Sequence, residues 1–202
     1  MDWDQIKQLI ASGQLDRLHR DDECARRYRE HRRSLGKVDL STYVLRKLQW
    51  SSEEIEFLNS DRYKTREQKI EACFSSRSLY SVTRNDFPYD FEPDVHHLLV
   101  WSKIGLPLYG DDSNGAGQDP ETRNRIDEFF RFNLEERLQV SKADYCWFVN
   151  YSSLQSIRKI SHVHLLVKTR DRELVEGGIL GEPGLQPLLG IDGTEETQES
   201  CL

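Results

Sequence analysis

The chain has 202 residues, the size of one ordinary domain with or without appendages, and no apolar run approaches the about 20 residues that a membrane span needs. The N-terminus lacks the basic start and apolar stretch of a signal peptide, and the four cysteines form no C-x-x-C pair. A cytoplasmic protein is therefore expected. The net charge of -7 falls on residues 171–202, which hold eight acids and one base, while the rest of the chain is balanced.

Residues 1–60 are predicted to form a helical N-terminal region. Apolar side chains recur at helical spacing in segments that begin at Trp3, Leu15 and Leu40. Ser51 followed by Glu54 has the pattern of a capping box, which predicts the start of a fourth helix.

Residues 61–175 are predicted to form an α+β core. Asp119 as N-cap and Pro120 at the first helical position predict a helix whose apolar stripe includes Ile126 and Phe130. Buried-type runs predict strands at 95–103, 145–150 and 162–167. Few strands among several helices indicate an α+β fold, with N-terminal helices followed by a small antiparallel sheet and a packed helix.

Residues 176–202 are predicted to be a flexible acidic tail. This segment contains six of the chain's twelve glycines and no basic residue. We therefore expect its deletion to leave the fold and any ligand binding intact.

The strongest candidate site is the sequence His162-Val163-His164 in the last predicted strand. Side chains at i and i+2 of a strand lie on the same face, so both imidazoles would point the same way. His97 opens another predicted strand and would complete a three-histidine site of the kind zinc or iron accepts. A second interpretation is that the histidines function without a metal, because their charge can change near neutral pH. A third is that they only form the polar face of a half-exposed strand.

Polar residues near these strands form two further motifs. In Asn85-Asp86-Phe87-Pro88-Tyr89, the carboxylate of Asp86 and the hydroxyl of Tyr89 can orient a ligand or a histidine; the alternative is a structural turn. Asn150 ends a predicted strand, where its amide can bind a ligand or hold a loop.

An arginine-rich segment at 26–33 does not indicate nucleic-acid binding. Asp22 and Glu23 precede Arg26 and Arg27 by four residues, which is the spacing of ordinary helix ion pairs. With a neutral body and an acidic end, the chain is not expected to bind nucleic acid, although an anionic small ligand is compatible with its charge.

Four motifs in order resemble the fungal N-acetylglucosamine-induced protein family, a domain of unknown function. The family pattern is close to N-D-W-P-Y-G, H-L-V-V-W-T-K, W-F-K-N-W and H-F-H-V, and the resemblance covers roughly residues 25–175. The motifs of this chain are the segments 85–90, 97–103, 147–151 and 162–164. Phe87, Asp90 and Tyr151 stand where the family has Trp, Gly and Trp. The resemblance implies a link to amino-sugar metabolism or response and supplies no established reaction.

A more distant likeness is to the histidine-triad nucleotide hydrolases and transferases. Here His97-Leu98-Leu99-Val100 with Lys103, and later His162-Val163-His164, are similar to the two motifs of that group. Leu166 stands in place of the third histidine of H-x-H-x-H. The likeness implies a related sheet and a nucleophilic His164 with His162 beside it.

Three functions follow as hypotheses. The first is the binding of a small polar ligand, a sugar phosphate or nucleotide sugar, by the residues Asp86, Tyr89, His97, Asn150, His162 and His164. The second is a histidine-triad-like enzyme that acts on phosphoryl or nucleotidyl groups through His164. The third is a non-catalytic regulatory protein that contacts other proteins. No metal is assigned, and the cofactor and the oligomeric state stay open.

Overall fold

A computed structural model describes residues 1–109 and 118–188. The α-helices of this part are α1 Trp3–Ala11, α2 Asp22–Ser34, α3 Leu40–Leu48, α4 Ser52–Phe57, α5 Arg66–Ala72 and α6 Pro120–Phe130. Wider π-helical turns continue α4 over Leu58–Arg62 and α6 over Arg131–Arg137, and a further one covers Leu174–Ile179. Short 3₁₀ turns lie at Leu15–Arg17, Arg77–Leu79 and Lys142–Asp144.

Side chains cap the helices where the sequence predicts it. Ser51 accepts a hydrogen bond from the backbone N–H of Glu54, and Asp119 accepts one from that of Thr122. Asp2 makes a full capping box at the start of α1. These bonds satisfy donors that the first turn of a helix leaves free, so the helix starts are encoded locally.

The described strands form an antiparallel sheet in the order β1-β2-β4-β3, and this confirms the predicted α+β class. The strands are β1 Tyr80–Arg84, β2 Val95–Ser102, β3 Tyr145–Phe148 and β4 Ser161–Lys168. The prediction did not include β1, which is an edge strand with one buried residue, Tyr80. Its Ser and Thr residues carry no buried-type run, so pairing with β2 makes it a strand.

Both faces of the sheet are covered. One face carries Val100 and Val163 into the main apolar core, together with Phe129 of α6. The opposite face carries the three histidines, and the N-terminal helices pack over it through Trp3 of α1 and Val44 of α3. The helical N-terminal region is thus one layer of the domain, and its position sets the boundaries of the candidate site.

The C-terminal segment differs from the predicted tail. Residues 176–188 pack on the main core, where Ile179, Leu185 and Leu188 are at most 5% exposed. The hydroxyl of Tyr80 donates to the carbonyl of Leu185 at 2.7 Å. Isolated apolar residues between the glycines pack this segment onto the core. The predicted start of the flexible tail at residue 176 is therefore too close to the N-terminus. The rest of the predicted tail, 189–202, lies outside the described residues.

No helix among the described residues is long and apolar enough to cross a membrane. The cytoplasmic location stays a prediction.

Candidate functional site

A cleft lies between the histidine-bearing face of the sheet and helices α2 and α3. It has a volume of about 110 Å³ and is lined by residues of both layers. Five of the six predicted site residues border it: Asp86, Tyr89, Asn150, His162 and His164. The sixth, His97, contacts this group from the buried side.

His97 and His164 form a direct buried pair. In the antiparallel register Leu99 faces His164, so His97 is the diagonal neighbour of His164 on the same face. Nε2 of His97 lies 2.8 Å from Nδ1 of His164, and one of these nitrogens donates to the other. Nε2 of His164 lies 3.2 Å from the side-chain amide of Asn150. Both nitrogens of His164 therefore have partners among the described residues.

Asn150 links the histidine pair to the cleft. The end of its amide that contacts His164 also lies 3.2 Å from the hydroxyl of Tyr89. The other end, Oδ1, is buried and has no hydrogen-bond partner among the described residues. The side-chain amide of Gln155 donates to the Asn150 backbone carbonyl at 2.7 Å, which holds the chain where β3 ends. Asn150 is therefore oriented by protein contacts at one end of its amide, while the other end has no partner among the described residues.

His162 has a different environment from His164. Its Nδ1–H donates to the carbonyl oxygen of Ile160 at 3.1 Å, because a carbonyl oxygen can only accept. The ring lies beside the indole of Trp101, with centroids 4.8 Å apart. Nε2 makes no hydrogen bond with any residue that the structure describes. A neutral His162 thus presents a lone pair on Nε2 from the wall of the cleft.

Burial keeps the three histidines neutral. It lowers the pKa of His97 to about 3, with the positive charge of Arg20 adding to the effect. Burial also lowers the pKa of His162, and it lowers that of His164 well below its ordinary value, where His97, His162 and Arg20 act in the same direction. The expected change of charge near neutral pH is therefore wrong: these rings are uncharged there.

Asp86 and Tyr89 take different positions although they share one turn. Tyr89 lies inside, where its backbone N–H donates to Nδ1 of His97 at 3.3 Å. Asp86 lies at the rim, with its carboxylate 2.5 Å from Nζ of Lys47. Asn85, in the same turn, contacts the ring of His97 through its polar side chain. Its amide nitrogen lies 3.2 Å from Nε2 of His97.

Sequence reasoning missed three residues that line the outer part of the cleft: Arg20, Tyr28 and His31. Tyr28 and His31 lie three residues apart on α2, so they share one face of that helix. Both belong to the arginine-rich segment. Their spacing of three residues was the sequence signal that could have placed them on one helix face. Nothing in the sequence distinguished Arg20 from the other arginines.

A metal site has no support in the described part of the chain. No group of three or more His, Cys, Asp or Glu side chains there is arranged to hold a metal ion. The histidine rings instead bond to each other, to Asn150 and to a backbone carbonyl.

This chain is similar to known fungal proteins over most of its length. The family model described as "Protein of unknown function (DUF3605)" matches residues 2–168. The chain is 39% identical over 165 residues to the uncharacterized protein YPL067C of Saccharomyces cerevisiae, covering 82% of this chain and 77% of that protein. It is 29% identical over 191 residues to N-acetylglucosamine-induced protein 1 of Candida albicans, covering 90% and 74%.

The fold also matches a solved structure. The crystal structure of HTC1 superposes with a TM-score of 0.73 at 37% sequence identity, covering 93% of this chain and 98% of that one. Together with the relatives, this match confirms the resemblance that the four motifs predicted.

Proposed function

The chain belongs to the DUF3605 family of proteins of unknown function, and we propose that its cleft binds a small polar ligand that carries an anionic group. One observation carries the proposal. Three buried polar atoms have no hydrogen-bond partner among the described residues, namely Tyr28 Oη, His31 Nε2 and Asn150 Oδ1, and all three belong to residues that line this cleft. Native proteins pair nearly all buried polar groups, so a cluster of unpaired ones points to ligand contacts.

The charge of the cleft favours an anion. Arg20 makes no ion pair with any described residue, and its one hydrogen bond runs from Nε to the carbonyl of Phe87 at 2.9 Å. His97, His162 and His164 are neutral, and the negative charge of Asp86 is offset by Lys47. Lys47 does not itself line the cleft, but counted together with Arg20 and Asp86 it leaves the cleft and its rim with one positive charge in excess.

The size of the cleft limits what it encloses. Its volume of about 110 Å³ is well below the roughly 300–1,000 Å³ typical of pockets for drug-sized ligands. We therefore expect one part of the ligand to be enclosed and the remainder to extend along the open side.

The ligand class that we propose is a sugar phosphate or a nucleotide sugar. It provides hydroxyl and amide groups for Asn150 and His162 and an anionic group for Arg20. One relative is named N-acetylglucosamine-induced protein 1, and for this reason amino-sugar derivatives come first among the ligands to test. A place in amino-sugar metabolism or response is part of this proposal.

The alternative of phosphoryl or nucleotidyl transfer through His164 has less support. A nucleophilic histidine needs an unshared lone pair, and both nitrogens of His164 have partners. His162 retains such a lone pair, so it is the residue to test if turnover is found. A purely regulatory protein without a ligand leaves the three unpaired polar atoms unexplained.

Thermal unfolding with and without ligands tests the proposal. The probes are N-acetylglucosamine 6-phosphate, uridine diphosphate N-acetylglucosamine and inorganic phosphate. A ligand at 100 times its Kd stabilises the folded state by about 2.7 kcal/mol. We expect at least one sugar probe to raise the melting temperature of the natural chain, and Asn150→Ala to abolish the effect.

The matched control is Arg131→Gln, because Arg131 is exposed and pairs with Glu136 away from the cleft. This variant should keep the full response. If no probe raises the melting temperature, or if Asn150→Ala responds like the control, the proposed cleft is not the binding site.

A further inference from the structure

We infer that the ligand binds in one orientation, with an uncharged hydroxyl or amide group inside against His162 and Asn150 and with its anionic group outside against Arg20, Tyr28 and His31. This inference rests on the proposed function and adds to it the orientation of the ligand and the source of its selectivity. We call the first set of residues the inner subsite and the second the outer subsite.

The inner subsite selects a hydrogen-bond donor. Because Nδ1–H of His162 is committed to the carbonyl of Ile160, Nε2 of the neutral ring can only accept. His162 is 8% exposed, so water screens its interactions little. A phosphate or carboxylate carries mainly acceptor oxygens, and here it would face the lone pair of Nε2. A hydroxyl or amide N–H would donate to it.

Asn150 suits the same uncharged group. Its amide is held by His164 and Tyr89 at one end, and its unpaired end is buried. An amide has no net charge, so it recognises hydroxyl and amide groups without favouring an anion over them. The two charged side chains that line the cleft, Arg20 and Asp86, are more exposed than the buried His162 and Asn150.

The outer subsite holds a cation whose hydrogen-bonding fork is available. The guanidinium carbon of Arg20 lies 4.6 Å from the ring centroid of Tyr28 and 5.2 Å from that of Tyr89. These two ring contacts and the hydrogen bond from Nε to the carbonyl of Phe87 hold the guanidinium in place. Its two terminal nitrogens make no hydrogen bond with the described residues, and such a fork matches phosphate or carboxylate oxygens in pairs.

Helix α2 adds two polar atoms beside this fork. The rings of Tyr28 and His31 each lie 5.2 Å from the ring of Phe87, whose backbone carbonyl accepts from Arg20. Tyr28 Oη and His31 Nε2 are both buried without a partner among the described residues. Phe87 is therefore a shared neighbour of a cation, a hydroxyl-bearing ring and an imidazole. This combination is suited to a phosphate or carboxylate group.

The two subsites together select a class of ligand. A molecule with both a hydroxyl or amide group and an anionic group fills both, whereas a neutral sugar fills the inner subsite alone and inorganic phosphate the outer one alone. A sugar phosphate bound with its phosphate outward fits this requirement.

Two probes, measured on the full chain, test the inner and the outer subsite separately. Ligand-observed NMR and calorimetry would measure the Kd of N-acetylglucosamine 6-phosphate and of N-acetylglucosamine. We expect the natural chain to bind the phosphorylated sugar at least about tenfold more tightly, the effect of one charge-assisted contact. Arg20→Gln should bring that ratio close to one and leave the Kd of the neutral sugar unchanged.

His162→Phe should weaken both sugars by the same factor and so preserve the ratio. Arg29→Gln is the matched control for charge, since Arg29 is exposed on α2 and does not line the cleft, and it should keep the natural ratio. Melting temperatures would verify that each variant folds. If one does not, Arg20→Lys and His162→Gln take their places, with the same expected pattern in a weaker form.

Three results would overturn the inference. Arg20→Gln could weaken both sugars equally, or His162→Phe could remove the preference for the phosphorylated sugar, which would place the phosphate inside; in either case the cleft remains a binding site. If the natural chain binds neither sugar nor inorganic phosphate, the proposed function fails and the inference fails with it.

Discussion

Nε2 of His97 lies 2.8 Å from Nδ1 of His164, although the two residues are 67 positions apart in the chain. Antiparallel pairing of β2 with β4 places them diagonally on one face, under the N-terminal helices. Each ring satisfies a buried nitrogen of the other, so the pair is a hydrogen-bonded unit beneath the cleft. The contribution of this pair to the free energy of unfolding, and the effect of its burial on the pH dependence of stability, can both be measured.

The first prediction concerns the coupling within this pair. His97→Leu and His164→Leu should each destabilise the fold by about 1–3 kcal/mol, because each leaves the nitrogen of its partner buried and unsatisfied. The double variant should lose less than the sum of the two losses. Urea unfolding of the four proteins would give the coupling free energy.

The control for this cycle is His96→Leu, because the half-buried ring of His96 bonds the carbonyl of Thr169 and not His164. Its effect should add to that of His164→Leu. Additive losses for His97 and His164 as well would show that the two rings do not support each other.

The second prediction is a loss of stability in mild acid. Unfolded histidines bind protons near pH 6.5, whereas burial lowers the pKa of His97 to about 3 and holds those of His162 and His164 below 6.5 in the folded protein. Below pH 6.5 the unfolded state therefore binds more protons than the folded state, and the free energy of unfolding decreases as the pH is lowered. Each such site costs up to about 1.4 kcal/mol per pH unit.

Urea unfolding at pH 7.5 and pH 5.5 would measure this slope, which should be shallower in the double variant of His97 and His164. A slope equal in the natural chain and the double variant would mean that the buried rings take up protons while the chain is folded.

The third prediction concerns the C-terminal segment. A chain cut after residue 175 should be less stable than one cut after residue 188 by about 3 kcal/mol or more, because it also loses the buried side chains of Ile179, Leu185 and Leu188. Denaturant unfolding of the two truncated proteins measures the difference. Equal stabilities would support the original expectation that the flexible tail begins at 176.

The fourth prediction is that the hydroxyl of Tyr28 contributes to ligand binding and not to the stability of the fold. Tyr28→Phe removes a buried hydroxyl that has no partner among the described residues, so stability should stay equal or rise by up to about 1 kcal/mol. Binding of N-acetylglucosamine 6-phosphate should weaken. Melting temperatures with and without this probe measure both effects.

Tyr80→Phe is the matched comparison, because the hydroxyl of Tyr80 donates to Leu185 in the core. It should lose about 1 kcal/mol and leave binding unchanged. If Tyr28→Phe is destabilised as much as Tyr80→Phe, the hydroxyl of Tyr28 has a structural role.

Local sequence signals explain much of the fold. Caps such as Ser51 and Asp119 are satisfied within one turn of chain, so short patterns predict them. The buried runs of β2 and β4 are equally visible, because both faces of these strands are covered. β1 and the segment 176–188 were not predicted in this way, since each owes its place to contacts with distant parts of the chain.

The sequence by itself determined the fold class, the family and the set of polar residues near the histidine motifs, because helical spacing, buried runs and ordered motifs are properties of neighbouring residues. Tertiary structure alone decided their roles. Burial made the histidines neutral, a backbone carbonyl left His162 with a free lone pair, and pairing with His97 and Asn150 occupied both nitrogens of His164. Arg20 and helix α2 reach the site only when the N-terminal helices pack on the sheet, and no local pattern encodes that contact.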